Sequence, residues 1–299
     1  MRSFDRARQT PVNFSVPAGA CDCHTHVYLD DQAYPMDPAR KYTPPPATNE
    51  ELLALQKFLN FDRVVIVQPS NYGADNRATL DGVKALGQRR ARAVVGIDEK
   101  TAAAQIDAYH AAGARGVRVN LALAENVDPA AVAKHLRATA EQLKERGWHI
   151  QIVAHINVIA ALKDALSSLP LPVVIDHFGY PKIDGGHRQP GFDVLVDLVR
   201  SGACHVKISG AYRCSTQAPD FPNMKLMAQA LIQANPDRVV WGTDWPHPDG
   251  HVQGAKPTDV TPNLVVDDGA LLNQLPVWAP DAAVRHKILV ANPARLYDF

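Results

Sequence analysis

The sequence predicts a single α/β domain, a (β/α)8 barrel of the TIM type. Short apolar runs rich in β-branched residues recur eight times, amphipathic segments of helical length separate them, and no shift in composition divides the chain. Such alternation indicates a parallel sheet with helices packed on its outer face. The 299 residues also fit the usual length of one barrel. We therefore expect one domain over residues 1–299, with residues 1–17 as an N-terminal extension.

Several of the predicted strands are near-continuous apolar runs, which is typical of parallel strands covered on both faces. The eight predicted strands are residues 20–28, 63–69, 92–98, 113–121, 149–155, 172–179, 203–210 and 237–246. A doubly wound open sheet is the alternative architecture. It requires a glycine-rich phosphate loop after the first strand, and the segment CDCHTHVYLDD is not one.

The segments between these strands have the apolar spacing of amphipathic helices. The predicted helices are residues 49–59, 75–86, 101–112, 129–146, 158–168, 192–201 and 223–234. Asp128 followed by Pro129 is a helix start signal, since it joins a capping side chain to proline at the first helical position. Two long polar segments, residues 30–48 and 246–268, follow the first and last strands. We expect both loops at the C-terminal end of the barrel, where active sites lie.

Composition excludes several classes of protein. The 31 Lys and Arg residues balance the 31 Asp and Glu residues, so nothing favours binding to nucleic acid or to an anionic membrane. The N-terminal residues lack the apolar core of a secretion signal, and no apolar run approaches the roughly 18 residues of a membrane span. Four cysteines without a C-x-x-C pair indicate reduced thiols. We expect a cytoplasmic protein with a small-molecule partner, and homo-oligomerisation stays open.

Polar side chains gather at the predicted C-terminal ends of the strands. His24 and His26 are two residues apart on the first strand, so both imidazoles face the same way, as suits a divalent metal or a polarised carbonyl group. Asp244 directly follows the apolar run VVWG. It is either a satisfied structural carboxylate or, on the sharper interpretation, a general base. His177 follows VVID in the same way and is either a core histidine or part of the same site.

Other side chains at these strand ends are candidates for binding a substrate. Arg118 and Arg213 could clamp an anion, because a guanidinium binds a carboxylate through two hydrogen bonds, or could pair with a neighbouring acid. His155 could ligate a metal or only cap the fifth strand. The candidate hydroxyl donors are Tyr42, Ser70, Tyr180 and Tyr212. The histidines expected on the surface or in packing are His110, His135, His149, His187, His205, His251 and His286.

Three motifs resemble the amidohydrolase superfamily: CDCHTHVY on the first strand, VIDHFGYP on the sixth and WGTDWPHP on the eighth. They are most similar to its branch of lactone hydrolases, which includes 2-pyrone-4,6-dicarboxylate lactonases, sulfomuconolactone hydrolases and sugar lactonases. The similarity extends over nearly the whole chain, through KYTPPP, VIVQPSNYGADNRATLD, RGVRVN and HKILVANPARLY. The resemblance implies an amidohydrolase-type barrel and a hydrolase that opens lactones, which are cyclic carboxylic esters.

The resemblance also implies roles for single positions. His24 and His26 match the pair that polarises the substrate carbonyl group without a metal in the dicarboxylate lactonase, and His177 matches the third histidine of that site. Asp244 matches the carboxylate that activates water and passes the proton to the leaving oxygen. The positions that match substrate contacts are Tyr42, Ser70, Arg118 and Arg213. We therefore expect that no cofactor is required, although Zn²⁺ or Mn²⁺ could be bound by His24, His26, His177 and Asp244.

The chain departs from the dicarboxylate lactonase where that enzyme carries further positive charge. Ala124 and Tyr180 align with two of its arginines, and Val153, next to His155, replaces a tyrosine of the fifth strand. Each charge-assisted pair contributes roughly 1.5–3 kcal/mol, so the loss weakens binding of a dianion. We expect a lactone with one carboxylate, or a polyhydroxylated sugar-acid lactone, with Tyr180 and His155 among its contacts.

Two other functions stay open. A metal-dependent decarboxylase or hydratase of the same superfamily would use His155 as an additional ligand, although the fifth-strand histidine of that branch aligns with Ala154. A binding protein without catalysis is the third hypothesis, and the complete set of acid and base groups disfavours it. Metal analysis separates the first two functions, and a lactone hydrolysis screen separates both from the third.

Overall fold

The computed structural model describes residues 3–123, 126–182, 186–250 and 252–299. Two residues considered above, Ala124 and His251, lie outside the described residues. Eight parallel strands follow one another around the sheet in chain order. They are β1 Cys21–Thr25, β2 Arg63–Val67, β3 Ala91–Val95, β4 Ala114–Asn120, β5 His149–Val153, β6 Val173–Ile175, β7 Cys204–Lys207 and β8 Val239–Val240. Each coincides with a predicted strand and is shorter than it.

The sheet closes on itself between its first and last strands. Backbone hydrogen bonds join Cys23 N to Trp241 O (3.0 Å) and Asp244 N to the carbonyl oxygen of His24 (2.8 Å). The chain beyond β8 therefore continues alongside β1, although it is no longer regular strand. This closure confirms the predicted (β/α)8 barrel and excludes the doubly wound open sheet.

All seven predicted helices are present, and one of them is divided in two. The helices are α1 Asn49–Leu59, α2 Arg77–Leu86, α3 Ala103–Ala111, α4 Pro129–Leu143, α5 Ile156–Ala161, α6 Lys163–Ser168, α7 Phe192–Arg200, α8 Ala211–Cys214, α9 Lys225–Ala234, α10 Asp268–Asn273, α11 Leu275–Trp278, α12 Ala282–His286 and α13 Asn292–Tyr297. A π-helical turn, Lys287–Ala291, joins the last two. No helix of the described residues is both long and apolar enough to span a membrane.

Two helix starts show how local sequence sets these elements. The Thr48 hydroxyl accepts from the Glu51 backbone N–H (3.3 Å), and the Glu51 carboxylate accepts from the Thr48 backbone N–H (3.2 Å), which is a complete capping box before α1. Asp128 caps α4 by accepting from Ala130 N at 2.9 Å, with Pro129 at the first helical position. The start signal read from the sequence at Asp128 is therefore confirmed.

The two long loops meet over the C-terminal end of the barrel. The loop after β1 and the loop after β8 form a parallel bridge between Thr43 and Val260, and Thr261 N donates to Thr43 O at 2.9 Å. The carbonyl oxygen of Pro257 also accepts a hydrogen bond of 2.7 Å from the Thr43 hydroxyl. The loops thus support each other and form one rim of the mouth.

Candidate active site

The mouth of the barrel contains a polar cavity. Its lining residues are His26, Tyr42, Ser70, Arg118, Asn120, Ala122, Leu123, Val153, His155, His177, Tyr180, Arg213, Asp244, Pro248 and Gly250. The site residues selected from the sequence are in this lining, except His24, which is completely buried beneath it, and Tyr212, which lies behind Asp244. The fold therefore brings the selected residues together from at least six strand ends and the first long loop.

Three histidine rings surround one carboxylate oxygen, Asp244 Oδ1, at the floor of the cavity. Asp244 Oδ1 lies 3.6 Å from His24 Nε2, 3.7 Å from His26 Nε2 and 3.9 Å from His177 Nε2. All four side chains are almost fully buried. Three imidazoles thus aim the same ring atom at one oxygen, which a histidine packed for stability alone does not require.

The protonation of His26 follows from its other ring nitrogen. His26 Nδ1 lies 2.7 Å from the carbonyl oxygen of Val67, which can only accept a hydrogen bond. Nδ1 is therefore the protonated nitrogen, and the neutral ring presents a lone pair on Nε2 to the cavity. Burial lowers the pKa of His26, partly opposed by the nearby Asp244 carboxylate, so the ring is neutral at neutral pH.

His24 is held by a charged network inside the barrel. Its Nδ1 lies 3.3 Å from both Asp176 Oδ1 and Lys207 Nζ, while its Nε2 is buried without a hydrogen-bond partner. Lys207 Nζ donates to Gln151 Oε1 at 2.7 Å, and Gln151 Nε2 donates to Asp176 Oδ2 at 2.8 Å. The network joins β1, β5 and β7 with the end of β6, so it lies inside the barrel and fixes the His24 ring from below.

The charges of this network control its protonation. Burial lowers the pKa of His24 well below its usual value, although Asp176 opposes the shift. Burial alone would raise the pKa of Asp176, but Lys207 and His24 outweigh it and hold that pKa below its usual value. Burial also lowers the pKa of Lys207, against the attraction of Asp176. A neutral imidazole above an ion pair is the state that these shifts favour.

His177 is positioned at the close approach of two loops. Its Nδ1 lies 3.0 Å from the Ser209 hydroxyl, which can donate or accept. Gly210 follows with φ +60°, and a Cβ there would lie 2.8 Å from His177 Nδ1, so this position requires glycine. Burial lowers the pKa of His177 to about 4, although Asp244 and Asp176 oppose the shift.

The second oxygen of Asp244 is occupied by neighbours beyond the cavity floor. Tyr212 O–H donates to Asp244 Oδ2 at 2.7 Å, and Arg213 Nε donates to the same oxygen. Burial would raise the pKa of Asp244, but Arg213 and the three imidazoles hold it well below its usual value. Asp244 is therefore ionised, with Oδ1 facing the cavity. Of the two interpretations of Arg213, the structure places it in a pair with a neighbouring acid.

The remaining candidates lie around the cavity wall. Arg118 Nη1 donates to the Gln68 carbonyl oxygen at 3.0 Å, and its buried Nε has no hydrogen-bond partner. The Tyr180 ring lies edge-on to both His155 and His177, at centroid distances of 5.6 and 5.3 Å. His155 is exposed at the start of α5 and makes no side-chain cap there. Tyr42 and Ser70 also line the cavity.

Several residues of the site had no role assigned from the sequence. Asp176, Lys207, Ser209 and His247 are polar residues at the predicted strand ends, whereas Gln151 lies inside its strand and gives no such signal. The signal at Lys207 was a charge inside the apolar run ACHVKISG, because a buried charge requires a partner. The partner, Asp176, comes from another strand, and no spacing in the sequence connects the two.

The floor of the cavity has the composition of a metal site. Ligand atoms of His24, His177 and Asp244 all lie within 4.8 Å of one another. The unpartnered His24 Nε2 and the His26 Nε2 lone pair fit a divalent ion, and the Nδ1 contacts resemble the outer hydrogen bonds that orient ligating histidines. Within the part of the chain that the structure describes, His155 is not a member of this group, and Ala154 offers no ligand atom.

The fold and the site define an enzyme of the amidohydrolase class, with histidines of the first and sixth strands facing the aspartate after the eighth. The chain belongs to the amidohydrolase family, whose model matches residues 21–299. This membership confirms the family resemblance, and the curated hydrolases of lactones among its relatives support the predicted lactonase-like hydrolase.

Three curated relatives share nearly the full length of the chain. A 2-pyrone-4,6-dicarboxylate hydrolase of Comamonas testosteroni is 34% identical over 97% of this chain and 94% of its own. A 4-sulfomuconolactone hydrolase of Rhizobium radiobacter is 35% identical over 98% and 94%. A D-galactarolactone isomerase of Agrobacterium fabrum is 30% identical over 96% and 94%.

Proposed function

We propose that the protein hydrolyses a small lactone, with Asp244 as the general base. The observation that carries this proposal is the single ionised oxygen of Asp244 facing three neutral imidazoles at the floor of a polar cavity. The names of the relatives support the substrate class, because all three act on lactones or pyrones.

The reaction begins with a water molecule next to Asp244 Oδ1. The water oxygen attacks the lactone carbonyl carbon while its proton passes to Oδ1, and a tetrahedral intermediate forms. The ring C–O bond then breaks, and Asp244 returns the proton to the leaving oxygen. The new carboxylic acid loses its remaining proton to solvent, so the products are a hydroxy acid anion and one proton.

The three histidines divide the remaining work. His24 and His177 can present an Nε2–H to the developing oxyanion, because Lys207 and Ser209 lie within donating distance of their Nδ1 atoms. His26 differs, since its Nδ1 proton is committed to Val67 O and its Nε2 accepts. We propose that His26 Nε2 accepts a hydrogen bond from the second hydrogen of the attacking water. We therefore propose that His24 and His177 polarise the substrate carbonyl group, and that neutral His26 does not.

The same side chains fit a divalent metal. His24, His177 and Asp244, together with His26, would hold Zn²⁺ or Mn²⁺, and such an ion would supply a Lewis acid and a more acidic water. We nevertheless keep the expectation from the resemblance that added metal is not required. The alternative of a metal-dependent decarboxylase or hydratase needs a further ligand, and β5 brings none to this group among the described residues.

The cavity favours a substrate with limited negative charge. Arg213 is paired with Asp244, so Arg118 is the guanidinium with the least satisfied nitrogens on the wall. Tyr42, Ser70 and Tyr180 add hydroxyl groups there. We infer a lactone with one carboxylate or several hydroxyls, bound by Arg118 and these donors. A cytoplasmic location, the absence of nucleic-acid and membrane partners, and the oligomeric state stay predictions from composition.

An isomerase of lactones is the second candidate, and the D-galactarolactone isomerase among the relatives favours it. A hydroxyl of the substrate, instead of water, would attack the same carbonyl group. The test is a panel of muconolactone, D-glucono-1,5-lactone and 2-pyrone-4,6-dicarboxylate, with products followed by proton NMR. We expect opening of one of the first two and poor turnover of the third. A rearranged lactone would support the isomerase, and an inactive enzyme on all three would overturn both.

A further inference from the structure

A hydrogen-bond chain of three side chains, Tyr212, His247 and Asp268, continues outward from Asp244. Beyond the hydrogen bond from Tyr212 to Asp244 Oδ2 (2.7 Å), the Tyr212 oxygen lies 3.2 Å from His247 Nδ1. His247 Nε2 in turn lies 3.2 Å from both carboxylate oxygens of Asp268. His247 and Asp268 are 3% and 1% exposed, and Tyr212 is half-buried.

The donors and acceptors of this chain determine where its hydrogens lie. The ionised Asp244 can only accept, so the Tyr212 hydroxyl hydrogen points to it. The Tyr212 oxygen is then available to accept from His247 Nδ1. The Asp268 carboxylate lies at the other ring nitrogen, Nε2, and holds the ring in this orientation.

The backbone around His247 is built to bring its ring to Tyr212. Asp244 and His247 both have φ +67°, the left-handed region that few side chains adopt. The Tyr212 and His247 rings are perpendicular, with centroids 5.2 Å apart. Asp268 is the first residue of α10, a separate element that contacts the far side of the His247 ring. The left-handed conformations of Asp244 and His247 thus accompany the contact between the His247 ring and Tyr212, the residue that donates to the general base.

We propose that His247, supported by Asp268, is a positioning residue for the catalytic carboxylate. By fixing the Tyr212 hydrogen on Oδ2, it keeps the proton from the attacking water on Oδ1, where the leaving oxygen can reach it. The inference rests on the proposed function of Asp244. It adds to that function a residue that contacts neither the substrate nor the reacting atoms.

The kinetic test uses whichever of the three panel lactones is turned over fastest. Tyr212→Phe is expected to lower kcat at least 10-fold with little change in KM, since a hydrogen bond to a charged group is lost. His247→Gln retains a donor near Asp268 but none toward Tyr212, and should lose as much. His247→Asn retains a donor near the Nδ1 position and should stay within about 3-fold of wild type. His205→Asn, at a buried histidine on β7 outside the cavity, is the matched control and should retain kcat.

A double-mutant cycle separates positioning from a general structural role. Tyr212→Phe combined with His247→Gln should be no slower than Tyr212→Phe alone, because His247 acts through that hydroxyl. Additive losses, or a fully active His247→Gln, would overturn the proposal.

Nitrogen-15 NMR of the His247 ring supplies a test that needs no substrate. We expect the Nδ1 resonance of His247 to shift in Tyr212→Phe, because its hydrogen bond to the Tyr212 oxygen is lost, and to stay unchanged in the His205→Asn control. An unshifted resonance in Tyr212→Phe would overturn the proposal even if Asp244 is the base. If the panel shows no turnover while this resonance shifts, the proposed function fails and the hydrogen-bond chain stands.

Discussion

The two ends of the barrel both contain buried histidines, and they differ in what those rings face. At the mouth, His24 and His177 direct Nε2 toward one aspartate oxygen. At the opposite end, His149 begins β5 and lies edge-on to Tyr297, at a centroid distance of 5.1 Å. His205 lies in β7, and its Nε2 is 3.2 Å from Arg238.

Burial and pKa do not distinguish the two groups. Burial lowers the pKa of His149 and of His205 to about 3, and that of His177 to about 4. What distinguishes the mouth is the convergence of several rings on one ionised acceptor next to a cavity. A perturbed pKa is therefore a weak sign of function in this barrel, and shared geometry is the informative one.

The largest expected effect is that of removing the acceptor at the mouth. Asp244→Asn should lower turnover of a lactone by 10²–10⁴-fold, because an amide cannot take the proton of water. Steady-state kinetics check this, with thermal unfolding to confirm that the variant folds. Asp193→Asn on the exposed start of α7 is the control. Retention of more than about a tenth of the wild-type rate would remove Asp244 from the role of general base.

Exchanging one histidine at each end tests the comparison directly. His177→Asn should lower kcat by roughly 10²-fold, the scale for losing one oxyanion donor. His205→Asn should leave kcat within about 2-fold and lower the melting temperature instead. Equal losses of kcat in the two variants would show that burial of the histidines, and not their convergence on Asp244, accounts for the effect at the mouth.

A smaller effect is expected at the cavity wall. Arg118→Met should raise KM for muconolactone roughly 10-fold or more, given 1.5–3 kcal/mol per charge-assisted contact, and should affect the neutral D-glucono-1,5-lactone much less. Arg213→Met should instead lower kcat, because Arg213 contacts Asp244. If Arg118→Met binds muconolactone as wild type does, the Arg118 guanidinium is structural.

At the end of the barrel opposite the mouth, lowering the pH should destabilise the protein, because the buried neutral histidines there resist protonation. The pKa of His205 is about 3 in the folded protein and about 6.5 when unfolded, so the unfolded chain binds the proton first as pH falls. Stability is unaffected by this group above pH 6.5, and is lost by at most about 1.4 kcal/mol per pH unit down to about pH 3. Urea unfolding of wild type and His205→Asn should diverge in this window. Parallel curves would contradict the shift.

The smallest expected effect is that of chelation. Dialysis against a strong chelator should leave lactone hydrolysis nearly unchanged, as the resemblance implies. Elemental analysis of protein purified without added metal accompanies the assay. If activity is abolished and Zn²⁺ or Mn²⁺ restores it, the metal-free mechanism is wrong for this protein, and the converging Nε2 atoms are ligands.

Most of the fold could be predicted from the sequence, because the signals for its strands and helices are local. Each predicted strand was an apolar run, and Asp128 marked the start of α4. The strand ends were predicted too long because regular pairing stops where the chain turns into the mouth. The short helices α8 and α10–α13 were not predicted, since none shows several turns of amphipathic pattern.

The site was readable only in part. His24, His26, His177 and Asp244 stood out because polar residues at the ends of apolar runs need a partner or a task. The partners themselves were not readable, because contacts such as that of Lys207 with Asp176 join different strands. The sequence allows Arg213 to be either an anion clamp or the partner of an acid, and only the packing places it on Asp244.

The most direct test of the central claim is hydrolysis of the best panel lactone in ¹⁸O-labelled water. Activation of water by Asp244 and cleavage at the carbonyl carbon predict one ¹⁸O atom in the new carboxylate and none in the released hydroxyl, as read by mass spectrometry of the product fragments. Label in the hydroxyl would place the attack on the other side of the ester oxygen. An unlabelled, rearranged product would show that a substrate hydroxyl, and not water, attacks, and either result would contradict the mechanism.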